Sequence, residues 1–97
     1  MAVAVLTCKN SCVTSYEESE ELVVYDMNER AVKFSLRKPR NIEMLEDILE
    51  DRGCDFWVFI TADISEDVKS IIEDMGVKIQ IVERKPLKEI LEELFVV

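Results

Sequence analysis

The sequence of residues 55–82 is DFWVFITADISEDVKSIIEDMGVKIQIV, and this stretch decides the fold. Its first apolar run, Phe56 to Ile60, has the length of a buried strand, so we expect Trp57 and its Phe neighbours to belong to the core. Val77 to Val82 predicts a second strand. Between the two runs, apolar residues recur at helical spacing (Ile64, Val68, Ile71, Ile72 and Met75). Two strands joined by a helix run parallel through a right-handed crossover, so the stretch predicts a parallel β-α-β unit.

Polar residues and glycines indicate where the helices begin and end. Asp63 and Glu66 have the spacing of a capping box, with Asp63 as the expected N-cap. Gly76 follows that helix in the position of a left-handed C-terminal residue. Upstream, Asn41 is expected to cap another helix, which ends at Gly53. Four apolar residues of the upstream helix fall on one face (Ile42, Leu45, Ile48 and Leu49).

The remaining apolar segments complete the predicted sheet. Pro86 opens a third helix with one apolar stripe (Leu87, Ile90, Leu91 and Leu94). Ala2 to Thr7 predicts a strand buried on both faces. Leu22 to Tyr25 and Ala31 to Leu36 predict an antiparallel hairpin across a polar turn. The order β-β-β-α-β-α-β-α predicts an α/β fold: a five-stranded mixed sheet in the spatial order 3-2-1-4-5 with about three helices.

Composition narrows the class of protein. The 97 residues include 12 Lys and Arg against 21 Asp and Glu, a net charge of -9, and 48% are hydrophobic. We expect one domain over residues 1–97, because a chain of this length supports one core. Such an acidic protein lacks the charge for nucleic acid or an anionic membrane surface. No apolar stretch has the length of a membrane span, and the apolar start lacks a basic leader, so we expect a cytoplasmic protein.

The predicted topology also indicates where a ligand would bind. In an open α/β sheet, ligands bind beyond the carboxyl ends of the parallel strands, where the connectivity changes direction. Here that point lies between the first and fourth strands. The candidate cofactor-binding residues lie at the ends of those strands and in the loops that follow them (Thr7, Cys8, Cys12, Thr61 and Asp63). Cys8 and Cys12 form a C-x3-C pair whose thiolates could contact a soft metal or an iron-sulfur cluster, but the chain has no His to complete a closed site.

Each candidate also has a plainer interpretation. Cys8 and Cys12 could be ordinary thiols, and Cys54, at the opposite end of the sheet, is expected in the core. Asp63 has the position of a helix cap. The run Glu17 to Glu21 matches no calcium loop and is typical of a solvated surface. Without His and with only 2 Gly, the chain offers neither a catalytic triad nor a phosphate-binding loop, so we expect no enzyme.

The pattern as a whole resembles the dinitrogenase iron-molybdenum cofactor-binding family, which includes the NifX-type carriers. The resemblance covers nearly the whole chain and depends on the order of five segments (Val3 to Thr7, Val13 to Tyr16, Leu22 to Asp26, Arg52 to Val58 and Met75 to Ile79). It implies a ribonuclease H-like fold. Two segments depart from the family: Thr14-Ser15-Tyr16-Glu17 replaces a frequent Ser-x-His-Phe-Gly, and Thr61-Ala62-Asp63 replaces a Gly-Gly turn.

The resemblance implies a small carrier or accessory protein that binds an iron-molybdenum or iron-sulfur type cluster for cofactor assembly. The C-x3-C pair, Cys8 and Cys12, would supply the metal ligands of such a carrier, and cofactor-assembly proteins would be its partners. The alternative is a protein-interaction or regulatory domain that retains the fold without the ligand and uses its acidic surface to bind a basic partner. In either case we expect a monomer or weak dimer.

Overall fold

A computed structural model describes residues 1–95 and contains six strands and three helices in that range. The strands are β1 (Ala2–Lys9), β2 (Cys12–Val13), β3 (Glu21–Asp26), β4 (Ala31–Arg37), β5 (Asp55–Thr61) and β6 (Lys78–Ile81). The helices are α1 (Met44–Asp51), α2 (Glu66–Asp74) and α3 (Leu87–Phe95). The chain is therefore an α/β protein with a mixed sheet.

The five longer strands follow the predicted order, β4-β3-β1-β5-β6. The pairs β1–β5 and β5–β6 are parallel, whereas β1–β3 and β3–β4 are antiparallel. The sheet nevertheless has six strands rather than the predicted five, because β2 folds back on the end of β1. A strand of two residues has no detectable apolar period. The connecting residues Asn10 and Ser11 both have positive φ (52° and 65°), as a two-residue type I′ hairpin turn requires.

Helices cover both faces of the sheet. On one face, α1 and α2 bury Leu45, Leu49 and Ile72 against Val5 and Phe59. On the other face, α3 buries Ile90 in a second cluster formed by alternate residues of the same strands (Ala4, Leu6, Cys8, Val13, Val23, Tyr25 and Ile60). None of the helices within residues 1–95 is long and apolar enough to cross a membrane.

The predicted cap of α1 at Asn41 is wrong, because α1 begins at Met44 and its N-cap position is Glu43, which forms no side-chain cap. Asn41 lies in the turn before the helix, where its Oδ1 accepts a hydrogen bond from the N–H of Glu43 (3.1 Å).

The other helix ends confirm one prediction and correct another. Gly53 and Gly76 have φ values of 72° and 78°, which L side chains rarely adopt, and each follows a helix as predicted. The predicted cap at Asp63 is wrong. Ser65 is the N-cap of α2, and its Oγ accepts a hydrogen bond from the backbone N–H of Val68. Ser65 is one position before the first helical residue, where a cap must lie, whereas Asp63 is still in the preceding loop.

The prediction that Trp57 belongs to the core is also wrong, because its side chain is 60% exposed. On β1, Val3 is opposite Phe56 and the next residue, Ala4, is opposite Val58. Trp57 is therefore the extra residue of a β-bulge and has no partner on β1. In a regular strand, residues two positions apart share a face. Phe56 nevertheless packs on the α1–α2 side and Val58 on the α3 side, because the extra residue at the bulge shifts the alternation by one.

Candidate functional site

The structure brings together the ends of β1 and β5, as the topology predicts. Thr7 and Thr61 are fully buried. Thr7 Oγ1 donates to the carbonyl oxygen of Thr14 (2.7 Å) and lies 2.8 Å from Thr61 Oγ1. Thr61 Oγ1 donates in turn to the carbonyl oxygen of Asp63 (3.0 Å). Both hydroxyls thus have protein partners, which is how buried polar groups avoid the cost of desolvation.

The loop after β2 fills the space beyond these strand ends. The N–H of Ala62 donates to the carbonyl oxygen of Thr14 (3.0 Å), and the N–H of Tyr16 donates to that of Asp63 (2.9 Å). The predicted open crevice between β1 and β5 is therefore closed by the chain's own backbone. Thr14 to Tyr16 belongs to the segment that departs from the family pattern, and here it contributes hydrogen bonds to the fold.

The predicted site residue Asp63 lies at the edge of this closed region. Its side chain is exposed, and its Oδ1 accepts a hydrogen bond from the N–H of Ile64 (2.8 Å). Its carboxylate therefore faces solvent rather than the buried Thr7–Thr61 pair. Asp63 shapes the loop between β5 and α2, chiefly through its backbone.

Cys8, a predicted ligand, is buried beneath α3. Its side chain is 0% exposed and belongs to the same cluster as Leu6 and Val13. Burial raises the pKa of the Cys8 thiol to about 12, with smaller contributions from Glu21 and Cys12. The thiolate is the form that binds metals, so Cys8 is a poor ligand in this conformation.

Cys12, the second predicted ligand, is on the other side of the β1–β2 hairpin. Cys8 is opposite Val13, and Lys9 is opposite Cys12. Opposite residues share a face and successive residues alternate, so Cys8 and Cys12 lie on different faces. Cys12 is partly exposed, unlike Cys8. The structure therefore does not bring the two thiols together as one pair of ligands, and residues 1–95 contain no group of three or more Cys, Asp or Glu placed to hold a metal ion.

The acidic run Glu17 to Glu21 is more structured than the sequence indicated. Ser15 Oγ donates to Glu18 Oε1 (2.9 Å) and accepts from the Glu18 N–H (3.2 Å), and Arg84 also contacts this carboxylate. The spacing S-x-x-E at 15–18 was the sequence signal for this local turn. Lys38 Nζ also donates to the carbonyl oxygens of Tyr16 (2.8 Å) and Glu17 (3.2 Å), which connects the start of the run to the end of β4.

A polar depression of about 720 Å³ lies next to this run, at the β1–β2 turn. Eight residues line it (Lys9, Asn10, Ser11, Ser19, Glu20, Glu21, Arg37 and Lys38). Lys9 forms an ion pair with Glu20 (3.5 Å), and the Lys38 amine is already bound to backbone oxygens. Charges of both signs thus compensate one another here.

The carboxylates are concentrated instead on the outer surface of α1 and α2. Residues 40–75 contain eleven acidic and three basic residues, a net charge of -8 within the total of -9. A groove of about 370 Å³ between the helices is lined by three carboxylates and two apolar side chains (Glu43, Glu46, Asp74, Ile71 and Met75). We call this surface the acidic groove. The charge was visible in the sequence, but its convergence on one groove required the packing of α1 beside α2.

No family model and no curated protein matches this sequence. A solved structure described as the crystal structure of PH0822 is similar, with a TM-score of 0.73 and 13% sequence identity. The similarity covers 96% of this chain and 89% of that one. At this identity the similarity concerns the fold alone, and the class of protein it supports is a small α/β protein with a mixed sheet.

Proposed function

We propose that this chain is a protein-interaction domain whose acidic groove binds a basic partner. The observation that carries the proposal is the set of unpaired carboxylates on α1 and α2. Each of the two helices contains four acidic residues, and the single basic residue between them is Lys69 on α2. Within residues 1–95, none of those eight carboxylates takes part in an ion pair.

The positions of these charges are unfavourable for the isolated domain. Glu50 and Asp51 lie at the C-terminal end of α1, and Glu73 and Asp74 at that of α2, with no basic residue in either last turn. The helix dipole is negative there, so each exposed carboxylate costs a few tenths of a kcal/mol, up to about 1 kcal/mol. A cationic partner would reduce both the unfavourable interaction of these carboxylates with the helix dipoles and the repulsion between the two helices.

The chemistry of the acidic groove specifies the partner further. Ile71 and Met75 supply apolar surface between carboxylates of both helices, and Met44 on α1 is 51% exposed. An amphipathic segment with lysines or arginines beside an apolar stripe matches this arrangement, because long basic side chains reach the carboxylates while their neighbours bury apolar surface. We therefore propose a basic amphipathic helix as the partner.

We also propose that the sheet is ribonuclease H-like and that the resemblance to the iron-molybdenum cofactor-binding family concerns the fold. The strand order β4-β3-β1-β5-β6, with an antiparallel hairpin beside a parallel unit, supports this assignment. The closed crevice at Thr7 and Thr61 favours the interaction role over ligand binding in that place.

A carrier of an iron-molybdenum or iron-sulfur type cluster is our second proposal, with cofactor-assembly proteins as partners. It is favoured by Cys12, a partly exposed thiol at the β1–β2 hairpin. The donors do not fit a preformed two-thiolate site, because Cys8 is buried and on the other face. The proposal is therefore that the cluster binds through one thiolate, that of Cys12.

The interaction proposal is tested with a synthetic amphipathic helix of lysine and leucine as the probe. We compare Glu46→Lys/Asp74→Lys in the acidic groove with Glu89→Lys/Glu92→Lys on α3, which changes the net charge equally. Titration followed by NMR is expected to show about tenfold weaker binding for the groove variant only, since charges at the contact act locally. Equal weakening in both variants would mean that net charge alone attracts the peptide and would contradict the proposal.

The carrier proposal is tested by anaerobic reconstitution with iron and sulfide. The wild type is expected to take up iron with a thiolate-to-iron absorption band, and Cys12→Ser to lose it. The control is Cys54→Ser, a buried thiol at the other end of the sheet. Equal uptake by wild type and Cys12→Ser would rule out the assignment.

A further inference from the structure

The two outer strands of the sheet differ in how they are protected against pairing with another strand. β4 carries a bulge, because Val24 is opposite Phe34 and Tyr25 is opposite Val32, and it also carries Lys33 and Arg37. Bulges and basic residues are the usual protection of an edge. β6 pairs with β5 in unbroken register, from Val58–Lys78 to Thr61–Ile81. Its one charged residue is Lys78, at its start.

The backbone of β6 points hydrogen-bonding groups away from β5, where a further strand can pair with them. The N–H of Val82 donates to the carbonyl oxygen of Thr61 (3.0 Å). In a parallel ladder, alternate residues of a strand bond to the same neighbour, so Gln80 also turns its backbone towards β5. Ile79 and Ile81 alternate with Gln80 and Val82, so their N–H and carbonyl groups point away from β5, towards the open edge of the sheet.

Two isoleucines, Ile79 and Ile81, provide the apolar side chains of this edge. Ile81 is 57% exposed, although large aliphatic side chains are usually among the most buried. With Ile79, it borders a groove of about 570 Å³ between β6 and α2. Apolar and charged side chains of both signs line this groove (Asp63, Ile64, Glu66, Lys69, Glu73, Val77, Lys78, Ile79 and Ile81).

We propose that β6 pairs antiparallel with β6 of a second copy of this chain, with Gln80 on the two-fold axis. The outward-facing residues then form the hydrogen-bonded pairs, Ile79 opposite Ile81 of the partner and Ile81 opposite its Ile79. Both pairs lie on the α2 side of the sheet, where Ile79 already packs against the core. The pairing covers each exposed Ile81 with an isoleucine and joins the two sheets into one.

Charge complementarity favours a second copy as the occupant. β6 begins with Lys78, and Glu83 follows shortly after its end. Antiparallel alignment places the basic start of one strand beside the acidic end of the other, twice in a symmetric dimer. A parallel partner of the same sequence would place like charges together.

The dimer is tested by sedimentation equilibrium of the full chain. The wild type is expected to dimerise reversibly, and Ile81→Glu to weaken the association by about tenfold or more, because it places a charged carboxylate opposite Ile79 in each of the two cross-strand pairs. The control is Val32→Glu, which adds the same charge at an exposed residue of the other edge (47% exposed) and is expected to leave the association unchanged. A wild type that stays monomeric, or equal weakening by both variants, would overturn the proposal.

A second variant keeps the test decisive if Ile81→Glu perturbs folding. Gln80→Cys in a Cys12→Ser background places two thiols at a non-hydrogen-bonded pair on the axis, where Cα atoms are about 4.5 Å apart, within disulfide range. Mild oxidation is expected to give a covalent dimer, whereas Val32→Cys in the same background gives none. Absence of the cross-link in Gln80→Cys would contradict the pairing. The result is independent of the acidic groove, so it can fail while the proposed function stands.

Discussion

The three thiols differ in their environments more than in their sequence context. Cys8 and Cys54 are buried, and burial raises the pKa of both, to about 12 for Cys8. Cys12 is partly exposed on the hairpin. Reaction rates follow the accessible thiolate, so reactivity distinguishes these residues directly.

We therefore predict that iodoacetamide at pH 8 modifies Cys12 much faster than Cys8 or Cys54 in the folded protein. Peptide mass spectrometry over time measures each site separately. Cys12→Ser is expected to abolish the fast phase, and denaturation to make the other two thiols reactive. Fast modification of Cys8 in the native state would show that the hairpin opens.

Asp26 contributes to the way the free energy of unfolding depends on pH in the acidic range. It lies at the β3–β4 turn, where its Oδ1 accepts hydrogen bonds from the N–H groups of Glu29 (3.1 Å) and Asn28 (2.9 Å). The bond from Glu29 is the chief reason that its pKa lies below the ordinary 3.8, and the bond from Asn28 adds to it. A pKa lowered on folding stabilises the native state above the unfolded pKa, and this contribution is lost as pH falls through the folded value.

We predict that Asp26→Asn makes the unfolding free energy less dependent on pH below 3.8. The amide oxygen keeps an acceptor for the turn but does not titrate there. Urea unfolding at pH 7 and at pH 3 gives the comparison, with Asp55→Asn, an exposed residue outside the turn, as the control. Identical pH profiles for wild type and Asp26→Asn would contradict the assigned role.

At the scale of elements, the start of α2 shows how a cap is selected. Both Asp63 and Ser65 are capping residue types, and Asp63 has the better sequence pattern because Glu66 follows at the right spacing. The tertiary structure uses the Asp63 carbonyl for Tyr16 and Thr61, which holds Asp63 in the loop and leaves Ser65 as the cap.

We predict that Ser65→Ala lowers the unfolding free energy by about 1 kcal/mol, the usual cost of losing an N-cap. Ser65→Asp, which keeps a capping oxygen and adds a charge favourable to the helix dipole, is expected to restore stability. Chemical denaturation with circular dichroism measures both. A cost for Asp63→Ala larger than that for Ser65→Ala would reverse the assignment.

The elements that could be predicted from the sequence are those specified by local chemistry. The apolar periods located the five longer strands and three helices, and Gly53 and Gly76 located two helix ends. β2 was missed because its pairing with β1 is formed by two residues and stabilised by distant segments, including the N–H of Val13 donating to the carbonyl oxygen of Lys85 (2.9 Å).

At the scale of the whole molecule, the uneven charge has a thermodynamic consequence. Nearly the whole net charge lies in residues 40–75, and most of its carboxylates are on α1 and α2, which cover one face of the sheet. Like charges at this density repel in the folded state and are screened by salt.

We predict that added sodium chloride raises the midpoint of thermal unfolding. The double variant Glu50→Lys/Glu73→Lys is expected to be more stable at low salt and less sensitive to salt, because it removes repulsion and reverses an unfavourable charge at two helix ends. Differential scanning calorimetry at several salt concentrations measures both effects. A wild type destabilised by moderate salt would contradict the assigned repulsion among the carboxylates of α1 and α2.

The sequence by itself determined the class of fold, the strand order, the helix ends at glycine and the acidic character, because each depends on neighbouring residues or on composition. Only the tertiary structure decided whether the predicted site was open. Thr14 to Tyr16 close it through hydrogen bonds to residues almost fifty positions away, the hairpin register puts Cys8 and Cys12 on opposite faces, and the bulge at Trp57 turns that side chain towards solvent. These outcomes depend on which distant backbone groups meet, and no local pattern encodes them.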